Sequence, residues 1–137
     1  MEDNFFTEQH WNWRYRMAKC LADTLDFARF GIKRIFIIGS SNNGTAGPGS
    51  DIDLLIHIGG TEEQKRQLLL VLEGWSACLA EINHIKTGYI CDGLLDVHFV
   101  TDEDIRNKTA FAVMIGSVTD PASLLRAADE DLTEKII

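Results

Sequence analysis

Two acidic residues separated by one apolar residue lie in the stretch Asp51-Ile52-Asp53-Leu54, and this pattern constrains the fold more than any other feature. In a strand, residues i and i+2 point to the same face, so both carboxylates would face one side and the two apolar residues the other. Like charges at roughly 7 Å repel one another. The pattern therefore predicts a strand with one packed face and one open face, where a cation lies between the acids.

A third acid lies inside a later apolar run. Asp96 interrupts Leu94–Val100, where a charge is disfavoured unless it is paired. If this strand lies beside the strand 51–58, Asp96 can lie roughly 5 Å across from the face that carries Asp51 and Asp53. Three carboxylates at that spacing can hold two Mg²⁺ or Mn²⁺ ions about 3.5–4 Å apart.

A Gly-Ser pair follows an earlier strand pattern, Arg34–Ile38. Gly39 would let a phosphate approach the backbone closely, and Ser40 would offer amide and hydroxyl donors. A Gly-Ser pair or an Asp-x-Asp pattern is common on its own. Together with a later aspartate inside a strand, they indicate a phosphate site beside a metal site.

The other patterns predict one mixed α/β (α+β) domain over residues 1–137, in which a small mixed sheet is flanked by helices. The expected helices are 6–30, 61–82, 103–115 and one that starts at Asp120-Pro121; the expected strands are 34–38, 51–58, 85–90 and 94–100. Thr61–Gln64 is a capping box, and Asp92-Gly93 is typical of a hairpin. Residues from about 15 to 100 would form the core, and C-terminal helices would occupy about 101–137.

The net charge limits the classes of partner that the chain is expected to bind. With 13 basic and 21 acidic residues, the chain has a net charge of −8. This field repels nucleic-acid backbones, which argues against a nucleic-acid partner, although metal ions can still neutralise a nucleotide locally. No apolar run approaches the roughly 20 residues that span a bilayer, and the acidic start Met1–Asn4 is not a secretory signal. We therefore expect a cytoplasmic protein without a membrane partner.

The spacing of these motifs resembles a known family. Gly39-Ser40, ten intervening residues, Asp51-Ile52-Asp53-Leu54 and the later Leu95-Asp96-Val97 are similar to the signature of DNA polymerase beta-like nucleotidyltransferases. This superfamily includes aminoglycoside nucleotidyltransferases and minimal nucleotidyltransferase antitoxins. The resemblance covers roughly residues 15–100 and implies the polymerase-beta-like nucleotidyltransferase fold.

The resemblance also implies roles for individual residues. Asp51 and Asp53 would bind the two metal ions that accompany a nucleoside triphosphate, with ATP as the expected nucleotide. Asp96 would complete the second metal site and orient or deprotonate the acceptor hydroxyl. Gly39 and Ser40 would hold the triphosphate, with help from Ser50.

The implied reaction transfers a nucleoside monophosphate to a hydroxyl of a small molecule or a protein and releases pyrophosphate. Many family members have a helical substrate-binding domain after the third acid, whereas only a short stretch follows Asp96 here. A helical partner protein or a further domain would then supply the acceptor site, unless the acceptor is small. Two alternatives stay open: a catalytically silent nucleotide-sensing or partner-binding module, and a metal-dependent phosphoesterase.

Other polar side chains could contribute to the site. His57 and His98 share parity with the acids on their strands, so each is a candidate ligand or base, or a hydrogen-bonded neighbour. The cations nearest to strand or helix ends are candidates for contacting the triphosphate; they are Lys33, Arg34, Lys86 and Arg106. None of these cations is singled out by the sequence.

Overall fold

A four-stranded mixed sheet flanked by helices forms the part of the chain that the computed structural model describes, residues 8–115 and 121–128. Its elements are helices α1 (His10–Thr24), α2 (Phe27–Phe30), α3 (Ser40–Asn43), α4 (Glu62–Thr87) and α5 (Asp102–Arg106), strands β1 (Ile32–Ile38), β2 (Ile52–Ile58), β3 (Leu95–Val100) and β4 (Ser123–Ala127), and a 3-10 turn at Ala112–Met114. The strand order is β3-β2-β1-β4. The predicted fold class is confirmed.

The sheet combines antiparallel and parallel pairs. β1 runs antiparallel to both β2 and β4, whereas β2 and β3 are parallel. A parallel pair needs a long crossover connection, and α4 supplies it between β2 and β3. This connection aligns the beginnings of β2 and β3, where the acidic residues lie.

Helix α4 begins as predicted and ends later. Thr61 and Gln64 form the reciprocal capping box, and the helix runs to Thr87, where Gly88 adopts the left-handed conformation. The predicted hairpin of strands 85–90 and 94–100 is therefore wrong. Residues 85–87 continue the helix, and only the second apolar run forms a strand, β3, which pairs with β2 instead.

The predicted N-terminal helix is interrupted. Its first residues lie outside the described part of the chain, and α1 ends at Thr24. Asp26 then caps the separate short helix α2, accepting a hydrogen bond from the amide of Arg29. The chain turns here so that α2 leads directly into β1.

The C-terminal helices are largely replaced by other structure. The predicted helix 103–115 is shortened to α5 and a 3-10 turn, since Asn107 ends α5 and Lys108 has a positive φ of 52°. Asp120 lies outside the described residues, but the chain from Ser123 to Ala127 is strand β4, not helix. Pairing with the exposed edge of β1 satisfies the backbone of this segment, a long-range effect that local helix signals do not contain.

The two faces of the sheet are covered unequally. Ile52, Leu54 and Ile56 of β2 are buried in the main core against the helices α1 and α4. On the opposite face, the smaller core includes Leu55 and Ala112, the latter from the 3-10 turn. This smaller core leaves the beginnings of β2 and β3 open on that face.

Helix α4 also meets a length and composition criterion for a membrane span, contrary to the expectation from the sequence. Its most apolar window has a mean hydropathy of 1.2, and 28% of that window is buried. Core helices pass the same test, and α4 packs Leu68, Leu72 and Leu79 in the main core. The criterion is thus weak evidence for a membrane span.

Candidate functional site

Asp53 and Asp96 are direct neighbours on the open face of the sheet. They occupy one register position of the parallel pair β2–β3. Asp53 is half-buried, and the side chain of Asp96 is 50% exposed. Burial, a hydrogen bond with Asp96 and repulsion from Asp96 and Asp51 raise the pKa of Asp53 to about 6. The site therefore disfavours negative charge on Asp53, and a cation could bind there to offset that charge.

Asp51 lies just before β2 and is exposed. Partial burial of its carboxylate and the charge of Asp96 raise the pKa of Asp51, while Arg14 opposes the shift. Ligand atoms of Asp53, Asp96 and His98 all lie within 4.8 Å of one another, and Asp51 is outside this set. Asp51 therefore adds negative charge at the edge of the cluster.

The Gly-Ser turn lies directly beside Asp53. Ile38 pairs with Asp53, so Gly39 follows at the same end of the sheet. Gly39 has φ 71° and ψ −155°, and a Cβ atom there would collide with Oδ2 of Asp53. Only glycine adopts this backbone conformation readily. Ser40 begins α3 directly after this turn, and its contact with phosphate stays a prediction.

The serine predicted to assist, Ser50, has a role inside its own loop. Its Oγ accepts a hydrogen bond from the amide of Gly47 at 2.9 Å, and its amide donates to the carbonyl of Gly47. These hydrogen bonds stabilise the turn that directly precedes Asp51. Ser50 therefore lies beside the acids, while its hydroxyl is already engaged within the turn.

A buried arginine, which the sequence did not single out, holds this loop in place. Arg14 of α1 is fully buried and donates to the carbonyls of Ser50, at 3.0 Å, and of Pro48, at 3.2 Å. Asn83 of α4, also fully buried, accepts from Arg14 at 2.9 Å and donates to the carbonyl of Pro48. Two helices thus fix the segment that leads into Asp51, and burial lowers the pKa of Arg14.

We expect Asn83→Ala to weaken both stability and site geometry. The substitution leaves Arg14 and the carbonyl of Pro48 each without one buried partner, at a cost of about 1–3 kcal/mol. The loop before Asp51 would then be less restrained. Denaturant unfolding measures the cost, and Glu81→Ala on the exposed side of α4 is the matched control. Equal stability of the two variants would contradict this role for Asn83.

Two of the candidate cations, Lys33 and Arg34, belong to a second cluster, which they form with His57 and Asp102. Lys33 binds Asp102 at 2.7 Å, and Arg34 donates to Nδ1 of His57 at 3.1 Å. Nε2 of His57 is 2.7 Å from Asp102, so both ring nitrogens have partners. His57 is therefore a hydrogen-bonded neighbour that ties the start of α5 to the sheet.

The donor set fits a divalent cation, because the neighbouring side chains of Asp53 and Asp96 offer hard carboxylate oxygens as ligands once Asp53 has lost its proton. We expect Mn²⁺ or Mg²⁺ affinity to fall about tenfold per pH unit below the Asp53 pKa of about 6 and to level off above it. Calorimetric titrations between about pH 5 and 8 measure this. A flat profile would contradict Asp53 as a ligand.

Comparisons with known proteins identify the family of this domain. The family described as "Nucleotidyltransferase domain" matches residues 21–114. The solved structures that are similar to this chain include the following two. One, a nucleotidyltransferase candidate from Sulfolobus solfataricus, is 15% identical with a TM-score of 0.42, and the match covers 77% of this chain and 82% of that chain.

The second, a toxin–antitoxin structure with AMP-PNP, is 18% identical with a TM-score of 0.46, and the match covers 86% of this chain and 76% of that chain. No curated protein gives a significant match. The family match spans more than half of the chain, from α1 to the 3-10 turn. The chain belongs to the nucleotidyltransferase domain family.

Proposed function

We propose that this chain transfers a nucleoside monophosphate from a nucleoside triphosphate, with ATP as the expected donor, to a hydroxyl acceptor and releases pyrophosphate. The observation that carries the proposal is the Asp53–Asp96 pair beside the Gly39 turn. Carboxylates next to a glycine that lets phosphate approach match the needs of nucleotidyl transfer, which depends mostly on positioning and charge neutralisation.

Each part of the site has a proposed task. Asp51 and Asp53 would hold the cations that accompany the triphosphate, and the turn at Gly39-Ser40 would donate hydrogen bonds to its phosphates. Divalent cations bound there would neutralise the phosphate oxygens and stabilise the charge that develops during displacement. Asp96 would accept the proton of the incoming hydroxyl, and its position on the edge strand with a half-exposed side chain supports this role.

A transfer assay tests the proposal. ATP labelled at the α-phosphate, a divalent cation and candidate acceptors or cell extract should give a labelled adduct and pyrophosphate in equal amounts. Asp96→Asn should lose both products, because it removes a carboxylate that can accept the acceptor proton. Labelled free nucleoside monophosphate without an adduct would favour the phosphoesterase alternative, in which water is the acceptor.

One observation favours the second candidate, a partner-binding module that binds nucleotide without turnover. The outward side of α4 exposes three consecutive apolar side chains, of which Leu70 is 65% exposed; the three are Leu69, Leu70 and Val71. Exposed apolar clusters often mark interaction sites. Tight binding of magnesium-ATP without pyrophosphate release, for every acceptor tried, would favour this candidate.

A further inference from the structure

His98 points its ring toward the acid pair. It follows Asp96 by two residues on β3 and therefore lies on the same face. Its Nε2 is 3.4 Å from Oδ2 of Asp96, and the ligand atoms of Asp53, Asp96 and His98 lie within 4.8 Å of one another. Two ligands that share one ion with bonds of about 2.1 Å are themselves about 3.0–3.4 Å apart. The imidazole is thus at ligand distance from Asp96.

The orientation of the His98 ring is supported from the other side. Phe111 stacks on it with ring centroids 4.0 Å apart and an interplanar angle of 20°. Phe111 directly precedes the 3-10 turn, whose Ala112 is buried in the smaller core. The start of α5, upstream of Phe111, is held to the sheet through Asp102 and His57. The ring is therefore held with one edge toward the carboxylates.

The other three histidines do not offer a nitrogen to the acids. Both ring nitrogens of His57 are engaged. His84 lies on α4 beside Glu81, at 3.7 Å. His10 is at the start of α1 near Arg14 and Lys86, whose positive charges lower the pKa of His10 after the larger effect of burial. Of the chain's four histidines, His98 is the one in the acid cluster.

An imidazole ligand changes which ion a site prefers. Mg²⁺ binds oxygen ligands and keeps several waters, whereas imidazole nitrogen suits first-row transition ions. We propose that His98 completes, with Asp53 and Asp96, a mixed nitrogen–oxygen site that prefers Mn²⁺ or a similar transition ion over Mg²⁺. The inference rests on the proposed function in that it names the metal class of the same site.

Mn²⁺ binding followed by electron paramagnetic resonance tests this without any turnover. In a buffer that lacks nitrogen donors, the wild-type complex should show electron spin-echo modulation from a coordinated imidazole ¹⁴N. His98→Gln should lose that modulation and bind Mn²⁺ at least about tenfold more weakly, with a smaller loss of Mg²⁺ affinity. His84→Gln is the matched control and should retain both the modulation and the affinity.

The outcomes separate this inference from the proposed function. Bound Mn²⁺ without nitrogen modulation in the wild type, or unchanged Mn²⁺ affinity in a folded His98→Gln variant, would overturn the role of His98 and leave nucleotidyl transfer standing if the labelled adduct forms. Failure of the wild type to bind either ion would overturn both. The wild-type spectrum decides the matter even if the variant does not fold.

Discussion

Asp53→Asn is expected to abolish metal-dependent transfer while making the metal-free protein more stable. The lost carboxylate is the more buried member of the acid pair and a proposed ligand of the cation. Losing about 4 kcal/mol of transition-state stabilisation corresponds to a rate about 1,000-fold lower. Pyrophosphate release at saturating metal and nucleotide measures the loss.

The gain in stability follows from the burial of the Asp53 carboxyl group and from its repulsion by Asp96 and Asp51. Asp53 titrates at about 6 in the folded protein, against an ordinary value of 3.8. The folded state therefore binds this proton more tightly than the unfolded state does. The stability that this binding adds is fully present below the ordinary pKa and is lost as the pH rises through about 6. Asp53→Asn avoids this loss, because its side chain carries no charge. Near pH 7.5 its free energy of unfolding should therefore be higher than that of the wild type by on the order of 1 kcal/mol, once solvent screening is allowed for.

Urea unfolding of the two proteins in a chelator measures this gain, and Asp92→Asn, at an exposed acid outside the cluster, is the control. Neutralising an acid that only stabilises the fold would lower the stability of the protein. Neutralising an acid that binds a cation instead abolishes transfer and stabilises the metal-free protein. If Asp53→Asn retains wild-type turnover, or is less stable than the wild type near pH 7.5, the assignment of Asp53 fails.

The central pair of the site could be predicted because strand geometry has a period of two. Asp53 and Leu55 share one face of β2 for this reason. Asp96 lies in an apolar run of strand length, where its charge needs a partner. The parallel register then placed Asp96 beside Asp53, as expected from the sequence. The roles of these acids in metal binding and catalysis stay predictions.

The errors in the fold arise where local signals compete with long-range pairing. The sequence predicts a strand over residues 85–90, yet the first three extend α4, which must be long enough to return the chain for a parallel strand. Asp120-Pro121 looks like a helix start, yet the following residues pair with β1. No local sequence pattern indicates that the edge of β1 is available for pairing with β4.

The supporting residues of the site were also beyond sequence reasoning. Arg14 and Asn83 are 69 positions apart and meet only because α1 and α4 pack on the same face of the sheet. The stack between Phe111 and His98 likewise depends on a turn whose position no motif fixes. A polar residue on the apolar side of an amphipathic helix, such as Arg14, is the one signal that could have suggested a buried anchor.

Gly39→Ala is expected to disable the site through the backbone, with all the acids still present. The residue has φ 71° and ψ −155°, a region where a side chain costs about 1–3 kcal/mol. The added methyl group would also collide with Oδ2 of Asp53, so either the turn or the carboxylate must move. A shift of about 1 Å in either group can reduce the transfer rate about 100-fold.

Gly44→Ala separates these two effects. Gly44 also has a positive φ, 82°, but a methyl group there meets no atom within 4 Å. We expect it to lose about 1 kcal/mol of stability with nearly unchanged transfer and metal affinity. Because only Gly39 touches the carboxylate, a selective loss of metal affinity in Gly39→Ala would locate the cation at Asp53. Equal metal affinity in the two variants would mean that the turn and the carboxylate act independently, and the phosphate and metal sites would then have to be assigned separately.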